Sequence, residues 1–351
     1  MKVNEQKLNE LVEKAVSDLA AGYGGVMVAL GDKLGLYRAM AGQGPLSSTE
    51  VAKLAGCAER YVREWLNSQA AAGYVVYHPS SETYELTPEQ AMVLANEDSP
   101  LFLPPAWEVP ASMWFDEDKA IEAFRTGRGI GWDEHNPRLY LGVAAFYRNA
   151  YQGQLVSDWL PALKNGTEKL NAGAKIADVG CGHGHSTIIM AEAFPRSRFW
   201  GFDIHPESID AARGNAKKRG VDDRVTFEVA DAKNYPAQGF DLICFFDCLH
   251  DMGDPVGAAR HAREALSPNG SIMLVEPYAN DRVEDNLNPI GRLYYSASTT
   301  LCCAHSISEE GMALGAQAGE KKLAKVFKEA GFRTIRAAKK TPFNLILEAR
   351  A

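Results

Sequence analysis

The chain has 351 residues, 46% of them hydrophobic and 23% charged, with a formal net charge of −8. That length allows two domains and a sizeable core, and the composition excludes a disordered or fibrous chain. The acidic balance argues against nonspecific binding to nucleic acid or to an anionic membrane.

No apolar run approaches the roughly 20 residues of a membrane span. The opening MKVNEQKLNELVEK lacks the apolar core of a signal peptide, so a cytoplasmic protein is expected. Leu8, Leu11, Val12, Val16 and Leu19 follow helical spacing and predict an amphipathic first helix. GGVMVALGDKLGLYRAM predicts a second, more buried one. Ser48 or Thr49 can cap a short helix ended by Gly56, and Glu59 to Ala72 predict a longer one stopped at Gly73. YVVYHPSSETYEL then reads as two β-rich runs about a Pro-Ser-Ser turn. Helix, turn, helix and hairpin make a winged-helix pattern, placed at residues 1–95. Between residues 22 and 95, five basic residues stand against seven acidic ones. Contact with a phosphate backbone is therefore disfavoured, and a homodimer through the apolar faces is expected.

Residues 96–165 hold four of the six tryptophans, Trp107, Trp114, Trp132 and Trp159. Helices here are expected to join the domains and roof a pocket. Trp132, His135, Tyr147, Tyr295 and Cys302 are the candidate pocket residues, and Arg148 is a candidate anion contact. From Lys175 onward strands and helices alternate. Strands are expected at 175–181, 198–204, 225–231, 240–247 and 270–277, with helices after the first, second, fourth and fifth. Two more strands are expected in the tail, turning at Thr341 and Pro342. The fold class is α/β: a mainly parallel sheet with helices on both faces over residues 166–351, with a lid insertion near 278–320.

IADVGCGHGHS raises the question of a ligand. Gly180, Gly182 and Gly184 follow a strand, and glycine there lets backbone N–H groups approach a bound group closely. A dinucleotide fingerprint would want glycine at position 185, which is His185. Asp178, Asp203, Asp231 and Asp247 each sit at or near the end of a successive strand, which puts four carboxylates on one sheet edge. That suits a ligand with adenine, ribose and a cationic end, and it repels a pyrophosphate.

DVGCGHGHS, GFDIHPESIDAAR, VTFEVADA and FDLICFFDCLHDMGDP resemble the successive motifs of class I S-adenosylmethionine-dependent methyltransferases, over residues 175–351. The N-terminal part resembles the winged-helix dimerisation domain of small-molecule O-methyltransferases. With GMALGAQAGE, the combination is similar to a two-domain group known from mycobacteria. The resemblance implies S-adenosylmethionine as cofactor and S-adenosylhomocysteine as product. It places Gly180 and Gly182 at the methionine moiety, Gly184 in the same cofactor-binding loop, and Asp178 at the amino group. Asp203 followed by Ile204 would meet the ribose, Asp231 with Ala232 the adenine, and Asp247 the methionine end.

Removal of a proton from the acceptor calls for a general base. His250, with Asp251 next to it, resembles the His-Asp pair of plant phenolic O-methyltransferases, with Met252 where those enzymes carry Trp. Glu276 is a second carboxylate able to orient an imidazole. The expected activity is methyl transfer to a small molecule, on oxygen, with His250, Asp251 and Glu276 as catalytic candidates. The alternatives are a DNA-binding regulator that senses the cofactor, or a methyltransferase acting on RNA or protein. No N-P-P-[FYW] sequence follows the fourth strand, which disfavours base or amide methylation. No metal is expected: Cys302 and Cys303 point about 100° apart on a helix, and His183 and His185 lack accompanying carboxylates.

Overall fold

The computed structural model describes residues 3–236 and 238–351. Its contacts divide the chain into two compact units, one running to Ala111 and including Tyr140–Asn149, the other comprising Ser112–Leu139 and Ala150–Ala351. The stretch 96–165 is thus shared between them.

In the first unit, the first expected helix and the first part of the second are one helix, Glu5–Lys33, opened by the Asn4 side chain accepting from the Lys7 N–H. The remainder of the second is a separate short helix, Leu36–Met40, after Gly35. The glycines of the long helix do not break it, because two of them serve packing. A Cβ at Gly25 would lie 2.5 Å from the Trp107 ring, and one at Gly31 2.5 Å from Trp65. The gain from seating two indoles against a bare backbone outweighs glycine's helix penalty of about 1 kcal/mol. Leu8, Leu11, Val12, Val16 and Leu19 are all exposed on this helix.

Helices Ser48–Ala55 and Glu59–Ala71 follow, the first with a capping box in which Ser47 and Glu50 satisfy each other's backbone N–H groups. Strands β1 (Val76–His78) and β2 (Thr83–Glu85) form the antiparallel wing, and Leu46 bridges to Tyr84 beside it. Val51, Val62, Trp65, Leu66 and Tyr84 fill the core between these pieces.

The second unit is built on a seven-stranded sheet. Its strands are β3 (Lys175–Val179), β4 (Arg198–Asp203), β5 (Val225–Val229), β6 (Phe240–Phe246), β7 (Leu266–Pro277), β8 (Thr334–Lys340) and β9 (Asn344–Arg350). They run in the order β5-β4-β3-β6-β7-β9-β8, parallel except for β9, which is antiparallel to both neighbours. β6, FDLICFF, is apolar almost throughout because a central parallel strand is covered on both faces. Helices His185–Ala193, Pro206–Arg219, Pro255–Ala265 and Gly319–Glu329 connect the strands. Ala258, Ala262, Leu323, Phe327, Ile243, Phe245, Leu274 and Leu347 share one buried cluster. Each large side chain buried there contributes about 1.5–3 kcal/mol.

The chain order reverses between β3 and β6. In an open α/β sheet the crevice outside the carboxyl ends of the strands at such a switch point is where ligands bind. Two short helices, Pro289–Thr300 and Cys302–Ser308, fill the insertion between β7 and helix Gly319–Glu329. Among the described residues, no helix is long and apolar enough to cross a membrane.

Candidate active site

Gly180, Gly182 and Gly184 all have positive φ, at 76°, 51° and 75°. The turn between β3 and helix His185–Ala193 requires that left-handed backbone, which an L side chain disfavours. A Cβ at Gly180 would sit 2.7 Å from Cys248 Sγ and one at Gly184 2.6 Å from the Phe227 ring, whereas nothing lies within 4 Å of a Cβ at Gly182. The outer two glycines pack against protein; Gly182 faces open space.

Asp178 on β3 is fully buried. Its Oδ2 accepts from the Ser186 and Thr187 hydroxyls, each at 2.6 Å, while its Oδ1 is buried with no partner among the described residues. Burial pushes its carboxyl from the usual 3.8 up to about 6, against the pull of those two hydroxyls. Asp203 ends β4. Its Oδ2 accepts the Gly182 N–H at 2.8 Å and its Oδ1 the His205 N–H at 3.0 Å. Each oxygen keeps a further lone pair, and burial raises the group. Ile204 beside it is exposed.

β5 stops at Val229, two residues short of the expected strand, so Asp231 lies in the following turn, exposed, with Oδ1 accepting the Lys233 N–H at 2.7 Å. Ala232 is half-buried beside it. Asp247, one residue past β6, takes φ 51°, a strained value for a non-glycine residue. Its N–H is tied to Val275 O at 2.7 Å, its Oδ1 accepts from Asn344 Nδ2 at 3.2 Å, and its buried Oδ2 has no partner among the described residues. Burial, then the nearby Glu276 charge, holds it well above the usual carboxylate range.

His250 is buried, and its ring nitrogens have different partners. Nδ1 is hydrogen-bonded to Glu276 Oε2 at the end of β7, and Nε2 meets Cys302 Sγ at 3.2 Å. The carboxylate that orients the imidazole is therefore Glu276 from a neighbouring strand. Asp251, adjacent in sequence, is not the hydrogen-bond partner of either ring nitrogen. Burial disfavours the imidazolium, but Glu276 and then Cys302 override it and raise His250 well above its usual value. Burial pushes Asp251 to about 7, and His250 partly offsets this. The other Glu276 oxygen, Oε1, is buried without a partner among the described residues.

The pocket candidates separate. Trp132 lies edge-on to His135, with ring centroids 6.2 Å apart, and to His305 at 5.9 Å. His135 Nδ1 pairs with Asp116 Oδ2 at 3.1 Å, which leaves its buried Nε2 without a partner, and His305 Nδ1 is in the same position. Cys302 and His305 are three apart on one helix and share its face. Tyr295 lines a recess with Cys303, Ser298, Asn280 and Gln317. Tyr147 and Arg148 belong to the first unit, where Tyr147 packs edge-on to Phe146 at 5.2 Å and Arg148 donates to Glu97 O at 3.4 Å. The His183 and His185 ring centroids are 6.3 Å apart, and among the described residues no group of three or more His, Cys, Asp or Glu side chains is placed to hold a metal ion.

Tyr151, which the sequence did not single out, packs in the site at 5.3 Å from Phe246, and burial followed by the Asp247 charge raises it well above its usual value. It begins a π-helical run, Tyr151–Trp159.

Residues 170–331 match the family model of a methyltransferase domain, and residues 22–96 match that of an Rv2258c-like winged HTH domain. The 27-O-demethylrifamycin SV methyltransferase of Amycolatopsis mediterranei is 38% identical over 107 residues, 30% of this chain and 39% of that protein. Methyltransferase GfsG of Streptomyces halstedii is 25% identical over 54% of this chain and 71% of its own. The chain thus spans only about two fifths of the first of these relatives. A putative O-methyltransferase from Nostoc punctiforme shares the fold along all of both chains, with TM-score 0.70 and 18% identity. Human N-acetylserotonin methyltransferase, solved with its cofactor, does so over 97% of this chain and 98% of its own, with TM-score 0.67 and 18% identity.

The residues present fit S-adenosylmethionine, the cofactor of that class. The buried Oδ1 of Asp178 and Oδ2 of Asp247 lack donors, which a cationic ligand carrying an ammonium group supplies, and Gly182 faces open space. Asp203 retains acceptor capacity for ribose hydroxyls.

Proposed function

We propose that this chain, which carries a methyltransferase domain of the S-adenosylmethionine-dependent class behind a winged helix-turn-helix domain, transfers the methyl group to an oxygen of a small-molecule acceptor. The observation that carries the reading is the buried His250–Glu276 pair at the carboxyl ends of the strands.

When bound, the cofactor supplies a methyl group activated by sulfonium. Asp178 and Asp247 offer acceptors to its ammonium end, Asp203 to its ribose, and Asp231 with Ala232 to its adenine. Glu276 accepts the Nδ1–H of His250, fixes the tautomer and stabilises the imidazolium formed. That leaves Nε2 as the atom that takes the acceptor's hydroxyl proton. The acceptor hydroxyl takes the position at Nε2 that the Cys302 thiol holds here. Trp132, His135 and His305 offer a flat wall and two buried imidazole nitrogens to an aromatic acceptor.

The winged-helix unit serves dimerisation. Leu8, Leu11, Val12, Val16, Leu19 and Tyr23 form an exposed apolar series on helix Glu5–Lys33, and a second copy covers it. The arginines of helix Glu59–Ala71 are engaged by glutamates of the same helix, Arg60 by Glu64 at 2.6 Å and Arg63 by Glu59 at 2.8 Å, which leaves them poorly placed for a phosphate backbone.

His250→Ala tests the base. It lowers methyl transfer by about 100-fold or more while cofactor affinity stays within about threefold. Unchanged turnover removes His250 from the chemistry.

A further inference from the structure

We propose that Cys302 is a covalent modification site, a thiol activated by His250 and Glu276 toward α,β-unsaturated carbonyl compounds. The inference uses the same imidazole as the proposed methyl transfer but does not depend on that reaction.

Three side chains from three elements line up. Glu276 ends β7, His250 follows β6, and Cys302 opens helix Cys302–Ser308. The carboxylate holds Nδ1, so Nε2 faces the sulfur 3.2 Å away as a proton acceptor. Nucleophile, base and orienting carboxylate in that sequence of contacts are what activates a weak nucleophile. Cys303, next in the chain, has no such partner at its sulfur; it contacts Ser298 Oγ at 3.4 Å. Both thiols are half-buried and free, so exposure does not distinguish them. The other carboxyls near the imidazole are Asp247 and Asp251, and both are raised. Glu276 is the one that directly supports the imidazolium.

The electrophile follows from the proton's path. The Sγ–H proton passes to Nε2, and the sulfur pair forms the S–Cβ bond. The C=C π pair moves to the α-carbon through the enolate, and the proton returns from Nε2 to that carbon. Conjugate addition uses both deprotonation and the return of the same proton, which an imidazole fixed beside the sulfur supplies. No further reactant is needed. The adduct then occupies the space in front of Nε2.

N-ethylmaleimide is the probe. The full chain is labelled for timed intervals, and the Cys302 and Cys303 adducts are separated by peptide fragmentation in a mass spectrometer. Cys302 reacts at least about tenfold faster than Cys303 at pH 6.5, and His250→Gln brings it within about threefold of Cys303. The ratio of the two rates, read on the unaltered chain, decides the matter if the variant fails to fold. Equal rates at the two cysteines overturn the assignment. Neither outcome bears on methyl transfer, which is read separately by label transfer.

Discussion

Asp178→Asn separates what the fold needs from what the ligand needs. The carboxylate is fully buried, and its pKa rises from the usual 3.8 to about 6 chiefly through burial. A folded-state pKa above the unfolded one means that the charged form is destabilising. The penalty is absent below pH 3.8, grows between 3.8 and about 6, and is complete above that. At 1.36 kcal/mol per pH unit it reaches ~3 kcal/mol. The amide oxygen can still accept from Ser186 and Thr187, but the new NH2 lies where Oδ1 has no partner, which returns about 1–3 kcal/mol at every pH. Relative to the parent, the variant therefore gains about 2–3 kcal/mol on going from pH 4 to pH 8, and its net advantage at pH 8 is at most ~2 kcal/mol. Cofactor affinity moves the other way: losing a charge-assisted bond of about 1.5–3 kcal/mol weakens binding roughly 10- to 100-fold at pH 8. Urea unfolding followed at pH 4 and 8, with calorimetric titration of S-adenosylmethionine, reads both quantities. A variant that gains no relative stability from pH 4 to 8 and binds the cofactor as the parent does refutes the reasoning.

Further expectations follow from the same geometry. In the parent, affinity for the cofactor falls as pH drops through about 6, because Asp178 gains the proton that cancels its attraction for an ammonium group; titrations between pH 5 and 8 check this. The rate of methyl transfer rises with pH through an inflection above 6.5, since Glu276 raises His250 and the base acts only when neutral. Glu276→Gln moves that inflection down and lowers turnover, with little change in cofactor affinity. Gly184→Ala, whose Cβ would meet Phe227 at 2.6 Å, destabilises the second unit by about 1–3 kcal/mol, while Gly182→Ala strains the loop by only about 1–2 kcal/mol yet blocks the cofactor; thermal melts beside titrations separate the two. At micromolar concentration, light scattering returns a dimer mass, and Leu11→Asp with Val12→Asp returns a monomer.

The second unit was legible because its strands are short apolar runs bounded by acidic and glycine-rich turns. Asp178, Asp203 and Asp247 were located by their position at strand ends alone. The partner of His250 was not fixed by chain order: Asp251 is adjacent in sequence, but β7 lies beside β6, and that pairing brings Glu276 to the ring. Tyr151 was missed because it reaches the site through packing against Phe246 and nearness to Asp247, which local spacing does not record. The first helix was split at Gly22, Gly24 and Gly25 because a glycine cluster reads as a break, and only the Trp107 ring lying against Gly25 explains why one belongs inside the helix. Trp132, His135 and His305 come together through long-range packing, which local spacing does not record.

Transfer of a labelled methyl group from S-adenosylmethionine into a whole-cell extract, fractionated into small molecules, nucleic acid and protein, tests the account most directly. Label in the small-molecule fraction, lost with Asp203→Ala and reduced with His250→Ala, is the predicted result. Label confined to nucleic acid or protein, or none at all despite measurable cofactor binding, contradicts it.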